Sequence, residues 1–280
     1  MNGRGLVVLA DGAQAAFCAG VIGELSRRGW RWVEGAGAGL GAWLALLGLV
    51  GEGEEAERRF LRLGERGMEL LSSALDRAQE QLASSDVLVF PDAMRLTGWL
   101  RGEVLAEHLA ADLVLIGQAS VWIAWENLQL GQRCWRKLEE ASHLLAAAAF
   151  PWGWPPDEAG SWGGVDVCCE LPWPPLTAEG VDVICGFPVP SVERPGFGNS
   201  LFFFAQRRAE IMAAATVTRW LQGLGEIKLW APTEESYRTF SQRPLAQLGV
   251  EYPYPVEQNA ELCQTMLNYG RWLARKEAET

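Results

Sequence analysis

A few residues have types and spacing that could support chemistry. The segment Gly160-Ser161-Trp162-Gly163 has part of the Gly-x-Ser-x-Gly pattern that presents a nucleophilic hydroxyl on a sharp strand-to-helix turn. It follows a Pro- and Trp-rich stretch and precedes a strand-like run, so a loop serine is the expected reading. Cys18 could form a thiol dyad with His108 or His143, the two histidines of the chain. Cys18 falls inside a predicted helix, where a buried structural thiol is expected. Six cysteines occur without a C-x-x-C pair, and no histidine lies near one at zinc-finger spacing. No metal centre is expected, and the thiols read as reduced and buried. Alternate glycines at Gly35, Gly37 and Gly39 interrupt an apolar run. They suit a tight turn packed against a sheet.

The composition limits the partners. The 280 residues are 49% hydrophobic and 21% charged, which suits a packed core rather than a disordered chain. Lys plus Arg is 24 against 35 for Asp plus Glu, a net charge of −11. So acidic a chain repels a phosphate backbone, and no nucleic-acid partner is expected. Residues 35–51 carry no charge over 17 positions, near the lower limit for crossing a bilayer. Six of them are glycines, so a buried helix after a glycine-rich turn is expected, not a transmembrane segment. The N-terminus enters a strand at once, which argues against a cleaved targeting segment. A cytoplasmic location is the expectation.

These residues need a scaffold to position them. Leu6–Ala10 is a short apolar run that reads as a buried strand. Residues 15–28 then place Phe17, Val21 and Leu25 on one helical face, and Gly29 ends the helix. Trp30–Val33 reads as a second strand and residues 42–50 as a second helix. This strand–helix alternation implies a parallel sheet with crossover helices. Further on, 53–82, 94–109, 134–149, 202–221 and 259–276 read as helical. Residues 87–90 form a short apolar run before Pro91, and residues 113–117, 121–125, 165–169, 181–185 and 227–230 read as strands. No linker divides the chain, so one α/β domain over residues 1–280 is expected.

The order of these features resembles the patatin-like phospholipase family. That family opens with a strand, a GGGxRG loop and a helix containing GV. A second strand, the nucleophile turn GxSxG and an Ala-rich helix follow. Here LVVLADGAQAAFCAGV, residues 6–21, lies on the opening without a gap. The glycine loop falls on Ala10-Asp11-Gly12-Ala13-Gln14-Ala15 and the helix glycine on Gly20. The nucleophile turn falls on Gly35-Ala36-Gly37-Ala38-Gly39, before Ala42-Trp43-Leu44-Ala45. Later, Phe150–Pro156 is similar to the family's IPGxFPP segment. Trp162-Gly163-Gly164-Val165-Asp166 is similar to its DGG, and Gly180-Val181-Asp182 to its GAD strand.

The resemblance implies a three-layer α/β fold, a central mostly parallel sheet flanked by helices, and a Ser–Asp dyad for acyl hydrolysis without a cofactor. The residues do not supply that dyad. The nucleophile position falls on Gly37. The Asp position falls on Gly164 or Trp162, and only a less favoured register places Asp166 there. The oxyanion positions Asp11, Gly12, Ala13 and Gln14 lack the arginine and gain a carboxylate. A carboxylate there opposes a developing oxyanion, or simply caps the following helix. The expectation is a protein of this family that does not hydrolyse esters. It would bind a lipid or fatty-acyl ligand or act as a scaffold subunit, as a homo-oligomer or beside an active paralogue. The alternative is an active acyl-ester hydrolase with a displaced nucleophile. The cluster of Trp152, Trp154, Trp162 and Trp173 reads first as packing and second as the lining of an acyl pocket.

Overall fold

A computed structural model describes residues 3–12, 14–65, 105, 107–127, 132–148, 162–164, 170–191, 201–223, 226–247 and 260–279. Ala13, Ser161, Asp166, Cys168, Cys169, Trp152, Trp154, the apolar run 87–90 and the expected strand 165–169 lie outside them. The expected helix at 94–109 falls largely outside them as well.

The strands are β1 (Arg4–Ala10), β2 (Trp32–Gly39), β3 (Val121–Asn127), β4 (Gln132–Lys137), β5 (Trp162–Gly164), β6 (Gly180–Cys185) and β7 (Glu226–Trp230). The helices are α1 (Gln14–Arg27), α2 (Leu40–Leu49), α3 (residues 53–65), α4 (Leu109–Ile116), α5 (Ala141–Ala148), α6 (Leu201–Gly223), α7 (Glu234–Ser241) and α8 (Ala260–Glu277). The sheet order is β4-β3-β2-β1-β6-β7, and β5 also pairs with β3. Neighbours from β3 through β7 run parallel, while β4 and β5 run antiparallel to β3.

Strand β1 sits at the centre and is buried on both faces. Leu6, Val8 and Ala10 face one core with Phe17, Ile22, Trp43, Leu46 and Leu267, from α1, α2 and α8. Val7 and Leu9 face a second core with Val183, Ala213, Val217 and Trp220, from β6 and α6. This two-sided burial explains why β1 reads as an unbroken apolar run. The uncharged stretch at 35–51 resolves into the end of β2 and helix α2, whose Leu40–Gly48 are all buried. Among the described residues no helix is long and apolar enough to cross a membrane.

Three expected elements differ. Strand β2 runs to Gly39, well past Val33. Its alternate glycines accept helix α2 close against the sheet, so they extend the strand instead of ending it. Of residues 113–117, expected as a strand, 113–116 belong to helix α4 and Gly117 is its C-cap. A short apolar run has no period that separates strand from helix. Residues 134–137, expected to begin a helix, form β4 opposite β3, with Trp135 paired to Ala124. Arg136 lies 5.4 Å over the Trp125 ring. That cross-strand partner lies outside any local sequence window.

Helix α8 returns to α1 at the far end of the chain. The crossing is close because both helices present glycine. A Cβ on Gly20 would stand 2.2 Å from the Leu267 carbonyl oxygen, and one on Gly270 would stand 2.1 Å from that of Phe17. The same helices share an ionic clasp. Glu24 accepts from Arg27, Arg28 and Arg275, and Glu57 of α3 accepts from Arg27 and Arg271. Hydrogen bonds led by Arg275 hold the Glu24 carboxyl at about 2, below its ordinary 4.5. Burial pushes Glu57 up, but bonds from Arg271 and Arg27 outweigh it and leave that carboxyl low as well.

A depressed carboxyl stabilises the fold above its unfolded value and loses that contribution as pH falls through its folded value. The clasp is therefore intact above about pH 4.5 and is lost toward about pH 2. In Glu24→Gln the acid arm of an unfolding profile between these limits should flatten. At neutral pH the variant should lose about 1–2 kcal/mol, a figure reduced for the exposed arginines. An unchanged acid arm would show that Glu24 is not a linkage site.

Candidate functional site

The C-terminal ends of the parallel strands bring most of the expected site positions together. To one side of β1 the chain continues through β2 and β3, and to the other lie β6 and β7. Helices α1 and α2 cover one face of the sheet and α6 the other. In open α/β sheets, the crevice above such a reversal is where ligands bind.

Strand β2 turns into α2 at Gly39, with φ 59° and ψ −136° and no side-chain cap. This is the sharp turn expected around Gly37, and it lies two residues later. Gly35 and Gly37 are strand residues paired with Leu6 and Val8. The glycines flanking the turn at plus and minus two are Gly37 and Gly41. A Cβ on Gly37 would lie 2.3 Å from Gly41 O and 2.4 Å from Ala42 N, and one on Gly41 would lie 2.2 Å from Val8 O. Both positions therefore exclude any side chain. The sequence carries glycine at 35, 37, 39 and 41, so spacing alone allows more than one register. Backbone contact with α2 and β1 selects one.

The β1–α1 loop lies against this turn. Ala10 pairs with Gly39, and a Cβ on Gly39 would stand 2.8 Å from Ala10 O and 3.9 Å from Asp11 Cβ. Asp11 is buried, and its Oδ1 accepts the Gly12 N–H at 3.0 Å. Gly12 has φ 56°, a left-handed turn that glycine adopts without strain. Gln14 begins α1, and its carbonyl oxygen lies 2.6 Å from a Cβ built on Gly186, just past β6.

Strand β5 completes the edge. β4 pairs with β3 along Trp122–Asn127, so β5, paired with Trp125–Asn127, takes the opposite edge. β2 uses that same edge at Val121–Ile123. Gly164 therefore takes up the place on β3 that β2 leaves when it turns at Gly39. Trp162 pairs with Asn127 on the same short strand.

The other candidates are placed elsewhere. Cys18 points into the core, 4.0 Å from Leu9 O. Burial and the nearby Cys185 push its thiol well above the ordinary range, and burial pushes Cys185 up to about 12. Neither thiol supplies a thiolate nucleophile. His108 packs against the Trp43 ring, and burial and Arg59 lower its pKa. Trp43 donates to Asp112, which also accepts from Arg59. His143 packs edge-on to Trp125, with centroids 5.4 Å apart. The cysteine–histidine dyad is not assembled.

The hydroxyls of Ser142, Ser236 and Ser241 serve local structure, while Ser26 Oγ is buried without a hydrogen-bond partner among the described residues. Ser142 Oγ donates to Glu140, and Ser241 Oγ to the Tyr237 carbonyl. Ser236 forms a capping box with Thr233 and lies 2.5 Å from the Tyr269 hydroxyl. Burial holds that phenol up at about 12, so it is no base at neutral pH. Asp182 is fully buried in β6, where it accepts from Trp32 and Arg4. Trp173 packs edge-on to Trp220, 5.3 Å between centroids, which is the packing role expected first. Among the described residues no cluster of His, Cys, Asp and Glu could hold a metal ion.

No family model matches this chain, and a search of curated proteins finds no match.

Proposed function

We propose that this is a patatin-like protein that has lost ester hydrolysis and acts by binding, with a lipid or fatty-acyl chain as ligand or with another subunit as partner. The observation that carries the proposal is the glycine at the strand–helix turn. With the turn at Gly39, the GxSxG pattern is read on Gly37-Ala38-Gly39-Leu40-Gly41, followed by Ala42. The nucleophile position is then Gly39, two residues from Gly37, the position that the resemblance assigns. Glycine stands at the nucleophile position in either register. Loss of a serine nucleophile costs about a millionfold in turnover.

Two further features support the reading. The positions that resemblance assigns to the Asp, Gly164 and Trp162, lie on β5 beside the turn, and neither is a base. The loop that would hold an oxyanion carries Gln14 in place of the family's arginine and Asp11 in place of one of its glycines.

Turnover of p-nitrophenyl octanoate by the purified chain tests the proposal. No hydrolysis above the buffer rate is expected. Turnover that is lost on replacing one serine or cysteine would establish the displaced-nucleophile alternative. Mass spectrometry of an organic extract then separates the two binding modes. A stoichiometric acyl species identifies a lipid binder. An empty extract, with an active hydrolase recovered by pull-down, identifies a scaffold.

A further inference from the structure

Helix α4 lies with a polar side inward. Asp112 and Ile116, one turn apart, are buried, and His108 stands one turn before Asp112. Leu113 and Val114 are turned outward, 55% and 65% exposed. Charge therefore helps to tie this helix down. Asp112 accepts from Trp43 Nε1 of α2 at 3.0 Å and from Arg59 of α3 at 2.6 Å. Arg58 and Arg59 both donate to Glu55 of α3. Glu107, beside His108, pairs with Arg62 of α3 at 3.0 Å. The network thus sets three carboxylates against three guanidiniums. Helix α2 brings no charge to it, and α5, also packed against α4, carries His143.

His108 meets the same Trp43 ring, with centroids 6.3 Å apart, and the Arg59 guanidinium lies 5.4 Å from that ring. Its Nε2 is buried and has no hydrogen-bond partner among the described residues. It is the N-cap residue of α4 and makes no side-chain cap bond. A proton on this imidazole would add one cation to a balanced network, at the positive end of a helix. We propose that His108 is a pH-sensitive latch on α4: neutral, it holds the first turn of the helix against Trp43 and α3, and protonated, it releases that turn. Burial and Arg59 lower its pKa, helped by Arg58, while Asp112 and Glu55 pull the other way. Both of those carboxylates are already engaged by arginine. The unfolded imidazole protonates near its ordinary 6.5 and the folded one lower. The latch is therefore complete above about pH 6.5 and weakens as pH falls below it. That window lies above the one in which Glu24 and Glu57 titrate.

Hydrogen exchange of residues 108–117, read by mass spectrometry at about pH 7.5 and about pH 5.5, tests the latch. Rates are corrected for the pH dependence of the chemical step, and β1 serves as the internal reference. In the unaltered chain the opening of α4 should rise about threefold to tenfold at the lower pH. His108→Phe keeps a ring and His108→Gln keeps a polar group, but neither can titrate. In both, the opening of α4 should be the same at the two pH values. Circular dichroism shows which variants are folded, and either one suffices. Equal opening of α4 at both pH values in the unaltered chain would overturn the proposal. So would a folded variant whose α4 opens with acid as much as that of the unaltered chain. Should neither variant fold, proton NMR of His143→Gln reads His108 as the one remaining histidine. Titration below about 6.5 then supports the latch, and titration at or above that value overturns it.

Discussion

Serine at position 37 should cost the fold at least about 3 kcal/mol. A Cβ there meets backbone, the Gly41 carbonyl and the Ala42 nitrogen, and no rotamer change relieves it. Helix α2 cannot retreat readily, because Gly41 is itself seated against the Val8 carbonyl. Gly39→Ser should be milder, about 1–3 kcal/mol, the usual cost of a non-glycine residue at a strained turn. Its Cβ meets only the Ala10 carbonyl closer than 3 Å, on the edge of a loop. Urea unfolding of both variants measures the difference. Equal costs, or a larger cost at 39, would mean that the turn is not at Gly39.

The second large effect lies at the crossing of α1 and α8. Gly20→Ala and Gly270→Ala should each cost about 3 kcal/mol, because each methyl group would enter the other helix's backbone. The helices must move apart in either variant, so the second substitution should add much less than the first. Denaturant midpoints of the two single variants and the double variant form the cycle. Full additivity would mean that the helices relax independently at the two glycines. A cost below about 1 kcal/mol would mean that the crossing is looser than its geometry indicates.

These glycines show what the sequence makes legible and what it does not. Gly20 is visible as a helix glycine, but its reason is α8, nearly 250 residues away. Periodicity within α1 holds no trace of that partner. The central strand β1 is legible because burial on both faces leaves an unbroken apolar run. The terminal helix α8 is legible because one face is buried and the other carries charge. The turn at Gly39 is visible as a glycine-rich turn, but not in its register. Four alternating glycines fit a strand as well as a turn, and contacts with Val8, Ala10 and α2 decide between registers. Strand β4 is hidden for a related reason, since its pairing with β3 is tertiary. The approach of Gly164 to the turn follows from sheet topology, which no motif spacing states.

With glycine at the strand–helix turn, the chain is expected to carry no activated acyl-transfer nucleophile. Intact mass after incubation with a reactive fluorophosphonate tests it most directly, because the reagent labels an activated serine wherever it lies. An unchanged mass is expected. A stoichiometric adduct would contradict it, and mapping the labelled peptide would identify the nucleophile.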